Sequence, residues 1–250
     1  MQITQSKLLN KFSDIKHGFT QREGGNSVTP YNSLNLAFHV GDSSNTVTLN
    51  HQKLANHLDY DYRTLVHMKQ IHSNKVHKVT PEDNFENPPT CDALITDKLH
   101  IPLMVMVADC SAILFYDTKR HIIAVAHAGR QGAFLNIVQS VMDSFTKDYS
   151  SDTNDIVVSI GASIKECCYE VGAEIHTQAQ ELNLEYSITK RDKGYYLDVS
   201  KILKRQLLSA GVLEENIEIS DECSCCNSQK YFSYRAHNTT GRFSGVLCLK

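Results

Sequence analysis

The chain has 250 residues, 41% of them hydrophobic, enough to close a sizeable core in one large domain or two small ones. Lys and Arg total 25 against 28 Asp and Glu, a net charge of -3, so no basic field points to nucleic acid or an anionic membrane, and a small-molecule partner is expected. Met1 to Lys16 is mostly polar and the longest apolar run is interrupted at Asp109, so neither an export signal nor a bilayer span is read, and a cytoplasmic single domain over 1–250 is expected.

In chain order, Phe19 to Asp42 carries Gly24-Gly25, Pro30 and several Asn and Ser residues, a pattern of loops and turns. Asn45 to Leu58 is predicted helical, with Ser44 or Asn45 as cap and Val47, Leu54 and Leu58 on one face. Leu65 to Ile71 and Val76 to Val79 read as two strands with His72 at the joint, and Asp83 to Pro89 as a polar loop. Asp92 to Thr96, Leu103 to Val107, Ala112 to Tyr116 and Ile122 to Ala126 are predicted strands of a buried sheet. Cys110 and His127 are then expected beyond strand ends. Gly132 to Tyr149 has helical spacing at Phe134, Ile137, Val138, Val141 and Phe145, with Gly129 and Gly132 at its start. A strand at Ile156 to Ile160, helices near Gly172 to Leu182 and from Asp198 to Gly211, and strands at Tyr231 to Tyr234 and Val246 to Leu249 complete the reading.

Chemistry concentrates at three positions. Cys110 and His127 are flanked by the small residues Ala108, Ser111, Ala128 and Gly129, which leave room for a metal and a substrate. With His72 upstream they offer one thiolate and two imidazoles, and three protein ligands with one open position are the pattern of a catalytic zinc site. A metal there would hold Cys110 as thiolate and acidify a bound water. Taken singly, each residue is as well explained by burial or by satisfying a backbone group.

The remaining cysteines are harder to assign. There are eight in all, and the adjacent pairs Cys167-Cys168 and Cys225-Cys226 do not suit disulfides in a chain of this size with no export signal. Cys223, Cys225 and Cys226 read as Cys-x-Cys-Cys, without the paired Cys-x-x-Cys units of a zinc ribbon or a matching downstream pair. Buried or incidental thiols are expected there and at Cys167-Cys168. Arg22, Arg235 and Arg242 can each present paired donors to an anion such as phosphate, although surface arginine is the default. Gly24-Gly25 lacks the lysine and Ser/Thr of a nucleotide-binding loop.

Several segments taken together resemble the multicopper-oxidase-like laccase domain family, also called the purine nucleoside phosphorylase or peptidoglycan editing factor family. They are His17-Gly18-Phe19-Thr20-Gln21-Arg22-Glu23-Gly24-Gly25, Ser33-Leu34-Asn35-Leu36, Gln70-Ile71-His72-Ser73, Asp92-Ala93-Leu94-Ile95-Thr96, Ala108-Asp109-Cys110, His127-Ala128-Gly129, Tyr169-Glu170-Val171-Gly172 and Phe232-Ser233-Tyr234-Arg235. The resemblance implies an α+β fold with mixed β-sheets layered with helices, and zinc, or alternatively copper, at His72, Cys110 and His127. It implies phosphate-dependent cleavage of adenosine, inosine, guanosine or methylthioadenosine, with adenosine deamination alongside. Arg22 and Arg235 are then the expected phosphate-binding residues and Asn35 a hydrogen-bonding partner of ribose or phosphate. The family's usual His-Ala-Gly-Trp-Arg-Gly stands here as His127-Ala128-Gly129-Arg130-Gln131-Gly132, so both the tryptophan and the arginine positions differ, and if that arginine contacts phosphate or orders the loop, activity is weakened unless Arg130 substitutes for it. Rival readings are a metal-free hydrolase with Cys110 as nucleophile and His127 as base, a copper polyphenol oxidase, and a non-enzymatic cell-wall quality factor.

Overall fold

The computed structural model describes residues 1–192 and 194–250. The described strands are β1 (Ile3–Thr4), β2 (Ile15–Thr20), β3 (Val76–Lys78), β4 (Ala93–Thr96), β5 (Leu103–Val107), β6 (Ser111–Asp117), β7 (Ile122–Ala128), β8 (Ile156–Ile160), β9 (Glu170–Val171), β10 (Ile188–Arg191), β11 (Gly194–Leu197), β12 (Ile217–Ile219) and β13 (Phe243–Leu249). The α-helices are α1 (Ser44–Leu58), α2 (Arg130–Phe134), α3 (Ile137–Tyr149), α4 (Ala173–Glu181), α5 (Val199–Ser209) and α6 (Tyr234–His237).

A mixed six-stranded sheet in the order β12-β8-β6-β7-β4-β3 forms the centre. Its two inner strands, β6 and β7, are buried at every residue, and side-chain alternation assigns them to two different cores. Ile113 and Phe115, with Ala124, Ala126 and Ala128, face a core filled by Val138, Val141 and Phe145 of α3 and Ile202, Leu203 and Leu207 of α5. Ala112, Leu114 and Tyr116, with Ile123 and Val125, face the other way, onto the four-stranded sheet β1-β2-β13-β5 through Phe19, Val105 and Phe243. The outer side of that second sheet contributes Met104, Met106 and Val246 to a third core closed by Leu54 of α1. The result is an α+β arrangement of helices, sheet, sheet and helix, each large apolar side chain gaining about 1.5–3 kcal/mol by leaving water. A third, antiparallel sheet, β10-β11-β9, packs Leu197, Val171 and Ile188 against the helix-covered core of the central sheet.

The structure departs from the sequence reading in several elements. Ser43, not Ser44 or Asn45, occupies the cap position of α1. The segment from Leu65 to Ile71 forms only single bridges, Val66 to Leu103 and Lys69 to Thr90, although Leu65, Val66 and Met68 are buried as a strand reading requires. The helix expected over Gly132 to Tyr149 is broken at Asn136, whose left-handed backbone (φ 56°) and side-chain cap on Gln139 N–H start α3 afresh. Tyr231 to Tyr234 is not a strand: Ser233 accepts from Ala236 N–H at 3.2 Å and caps α6, so local capping outweighs the aromatic preference for β.

Beneath α1 lies a small aromatic cluster that makes an acid response predictable. His51, fully buried, stacks on Phe38 (centroids 5.6 Å, 4° between planes), and His67 meets Phe85 edge-on at 5.5 Å. His51 Nε2–H donates to Leu36 O at 2.8 Å and His67 Nε2–H to Phe85 O at 3.0 Å, leaving both Nδ1 atoms buried without a protein partner. Burial, helped by the neighbouring His67, pushes His51 down to about 3, and burial pushes His67 down as well. Both rings are neutral when folded, whereas the unfolded chain takes up protons near the ordinary 6.5. Their stability contribution is therefore full above 6.5 and is lost as pH falls below it. At about pH 5 the loss from His51 is expected to be about 2 kcal/mol. Urea unfolding at about pH 7 and about pH 5 measures it, and His51→Leu should remove this share of the acid dependence; an unchanged dependence would refute the assignment.

Candidate metal centre and substrate cavity

Strand register brings the first two ligands together. Ala112 pairs with His127 across β6 and β7, and by alternation His127 shares the face of Ile123 and Val125. Cys110, two residues before Ala112, falls on the same face and packs against that core. His127 is thus inside β7 rather than beyond its end, a correction to the sequence reading, while Cys110 immediately precedes β6. His72 arrives from the loop before β3. One ligand atom from each of His72, Cys110 and His127 lies within 4.8 Å of the other two, and the imidazoles meet edge to face at 4.8 Å.

Asp92, which went unassigned as a site residue in the sequence reading, organises this trio from beneath. The carboxylate is completely buried at the edge of β4. It accepts from three successive backbone N–H groups, Ile71 (3.3 Å), His72 (3.0 Å) and Ser73 (2.6 Å), and from Ser73 Oγ–H at 2.7 Å. Those bonds hold His72 in a left-handed conformation (φ 60°) that a non-glycine residue otherwise disfavours. Asp92 also accepts from His127 Nδ1–H at 2.9 Å, which leaves Nε2 for the thiol side. Its place in Asp92-Ala93-Leu94-Ile95-Thr96, where a carboxylate opens an apolar strand, was the available signal.

The electrostatics follow from this chain of contacts. Burial pushes the Cys110 thiol up, but the charge and hydrogen bond of His127, with a hydrogen bond from His72, outweigh it and hold the thiol at about 6. Burial pushes His127 down, yet the Cys110 thiolate and the Asp92 hydrogen bond lift it to about 9. Burial likewise opposes the charge on Asp92, while His127 and Ser73 hold it near about 2. Gly129 permits the packing, because a Cβ there would stand 2.8 Å from Cys110 Sγ and 3.6 Å from a carbon of the His72 ring. One thiolate and two imidazoles at this separation fit a divalent metal with tetrahedral preference.

The three ligands open into a cavity of about 470 Å³ that is also lined by His39, Gln70, Tyr169, Tyr234 and three arginines, Arg130, Arg235 and Arg242. Arg235 donates to the carbonyls of Cys168 (3.4 Å) and Glu170 (3.0 Å) and lies over the Tyr169 ring at 5.3 Å. Arg242 donates to the carbonyls of Thr240 and Gly241, both at 3.0 Å, and Arg130 to Gln178 Oε1 at 3.2 Å. Among the described residues none of the three forms an ion pair with a carboxylate. Cationic donors thus remain available beside the metal ligands.

Two residues expected at the substrate are not brought there. Arg22 is 8% exposed and spent on structure: it donates to the carbonyls of Asn32 (3.0 Å) and Ser228 (2.5 Å) and sits 4.9 Å over Phe232. Asn35 is fully buried, donating to Ala37 O and Asp42 while its Oδ1 accepts from the N–H of Arg242 at 2.9 Å. It therefore acts on the cavity only by fixing the backbone of Arg242. Arg235 does line the cavity, as do Arg242 and Arg130.

Residues 16–250 match a family model described as multi-copper polyphenol oxidoreductase laccase. A Corynebacterium glutamicum protein named purine nucleoside phosphorylase is 37% identical over 94% of this chain and 94% of its own length. Purine nucleoside phosphorylase YlmD of Geobacillus stearothermophilus is 32% identical over 94% of this chain and 90% of its own. Among solved structures, Bacillus licheniformis YfiH superposes with a TM-score of 0.91 at 31% identity, covering 97% of this chain and 94% of that one. The same architecture is thus shared over nearly the full length.

Proposed function

Because the chain belongs to the family described as multi-copper polyphenol oxidoreductase laccase, and relatives matching nearly its whole length are named purine nucleoside phosphorylases, we propose that it cleaves purine nucleosides with phosphate. Adenosine, inosine, guanosine and methylthioadenosine are the proposed substrates. The observation that carries this reading is the meeting, in one cavity, of the His72–Cys110–His127 ligand set and three guanidiniums that have no carboxylate partner among the described residues. Its volume is in the range of small-molecule sites.

In phosphorolysis a phosphate oxygen bonds to the anomeric carbon as the bond to the purine nitrogen breaks, the electron pair leaving with the purine, which takes up a proton. We assign Arg235 and Arg242 to hold phosphate, since guanidinium forks match its oxygens, and Arg130 to support it from the start of α2. Tyr169 and Tyr234 offer apolar faces toward the nucleoside. His72, Cys110 and His127 would hold zinc, and such an ion supplies Lewis-acid polarisation of an oxygen at the reacting centre. Copper fits the same donors, but multi-copper phenol oxidation needs several imidazole-rich sites, and among the described residues a single metal-ligand group contains histidine. Adenosine deamination is the proposed accompanying activity: a water oxygen bonds to C6 of the purine as the bond from C6 to its amino nitrogen breaks, and the amino group takes up a proton and leaves as ammonia.

A second reading has one observation in its favour. Cys110, His127 and Asp92 form a relay in space like that of a metal-free thiol hydrolase. His72 has no role in such a relay, so the metal reading accounts for more of the site.

Incubation of pure, metal-loaded protein with adenosine is expected to yield adenine and ribose 1-phosphate only when phosphate is present, with inosine as the deamination product. Arg242→Ala and Arg235→Ala should each raise the KM for phosphate by about 10-fold or more, the worth of a charged hydrogen-bonding partner. Arg22→Ala should lower thermal stability and leave that KM near the wild-type value. Product formation independent of phosphate, or no product from any of the four nucleosides, would overturn the assignment.

A further inference from the structure

Four thiols that the proposed reaction does not use gather elsewhere in the molecule. The sulfurs of Cys167, Cys168, Cys223 and Cys226 all lie within 4.8 Å of one another. Cys226 Sγ is 3.3 Å from Cys168 Sγ and 3.6 Å from Cys167 Sγ, and all four cysteines are free of disulfides. Four sulfurs about 2.3 Å from a central zinc stand roughly 3.8 Å apart, so the cluster already has nearly the size of a tetrahedral zinc–thiolate shell.

Burial argues against incidental thiols. Cys167 and Cys226 are exposed and Cys168 half-buried, with Cys223 alone in the interior, so these side chains do not fill a core. Cys223 and Cys226 form a Cys-x-x-Cys unit, and its partner in space is the upstream pair Cys167-Cys168 rather than a downstream one. The backbone holds the two halves side by side through a bridge between Ser163 and Cys223 and through Ser224 N–H donating to Ser163 O at 3.1 Å. Half-buried Lys165, on the loop that leads into Cys167, is held by donating to Ser200 Oγ at 2.8 Å.

We propose that Cys167, Cys168, Cys223 and Cys226 form a closed tetrathiolate site for a structural zinc ion, distinct from the His72–Cys110–His127 centre. With four protein ligands it has no open vertex for chemistry. Its place in the fold gives it a positioning role. Cys168 O accepts from Arg235, and Ser224 Oγ–H donates to Asp109 Oδ1 at 2.7 Å, while Asp109 Oδ2 accepts from Arg235 N–H at 2.7 Å. The ion would brace the cavity wall that carries Arg235 and the residue preceding Cys110.

Metal analysis of reduced protein, purified with zinc supplied, tests this directly. Wild-type protein should hold about two zinc ions per chain, and Cys110→Ala, which leaves all four thiols intact, should retain about one. Cobalt added to metal-free Cys110→Ala should produce the intense sulfur-to-metal charge-transfer absorption of a tetrathiolate centre. Cys226→Ser should weaken or abolish that absorption, and Cys225→Ser, which removes a sulfur outside the group, should keep it. Loss of the second ion should raise the KM for phosphate more than it lowers kcat. Absence of both zinc and cobalt from folded Cys110→Ala, or a mass showing loss of two hydrogens as a disulfide forms among the four under reducing conditions, would overturn the proposal.

Discussion

Cys110→Ala is expected to lower kcat/KM for adenosine phosphorolysis by about 10³-fold or more and to release the ion bound by His72 and His127. The size follows from what the thiolate does. It is the only anionic donor of the three, and metal stabilisation of charge in a transition state is worth several kcal/mol, each 1.4 kcal/mol being about tenfold in rate. The fold should survive, because Cys110 precedes β6 and only packs against the rim of the core between the sheets, where alanine already stands at positions 108 and 112. Circular dichroism and thermal unfolding check that, and metal analysis checks the loss of the ion. Two outcomes separate this account from a metal-free thiol hydrolase. Chelation should abolish activity and added zinc restore it, and iodoacetamide should modify Cys110 only after chelation. Full activity in metal-stripped protein would refute the metal reading.

Asp92→Ala is expected to be the most damaging single change for the site as a whole. It removes one acceptor from five donors at once, in a position with no access to water. Leaving such a network half satisfied typically costs about 3–5 kcal/mol. The left-handed turn at His72 loses the bonds that hold it, and His127 loses the acceptor that fixes its tautomer. Metal affinity should fall by about 10–100-fold in Asp92→Asn, where the shape is kept but an NH₂ group faces donors. Competition with a chromogenic chelator measures the affinity, and urea unfolding the stability. The contribution also has a pH sign: a carboxylate held near about 2 when folded, against an ordinary 3.8, stabilises the fold above that ordinary value and ceases to do so as pH falls through about 2. An Asp92→Asn protein with wild-type metal affinity would refute the positioning role.

How much of this was legible in the sequence depends on the range of the signal. The strands β4 to β8 and helices α1 and α5 follow from local periodicity, and their register alone explains why Cys110 and His127 share a face. Strands β10 to β12 escaped notice because Ile188–Arg191 and Ile217–Ile219 are short, half-buried and interrupted by charge, so alternation is weak there. Arg22 and Arg235 look alike as residue types, and only the fold shows one packed over Phe232 and the other facing the cavity. Arg130, singled out only through the family resemblance, does reach the cavity. The thiol cluster was illegible for a different reason. Its halves are separated by more than fifty residues, and nothing short of the tertiary pairing of Ser163 with Cys223 joins them.

The approach of Gly129 to the sulfur of Cys110 has an evolutionary corollary. A single added methyl at that position would press against the coordinating atom itself while sparing every layer of the scaffold. One nucleotide change could therefore silence the chemistry and leave an intact scaffold, so descendants that have traded turnover for a purely architectural role should be recognisable by what stands at position 129.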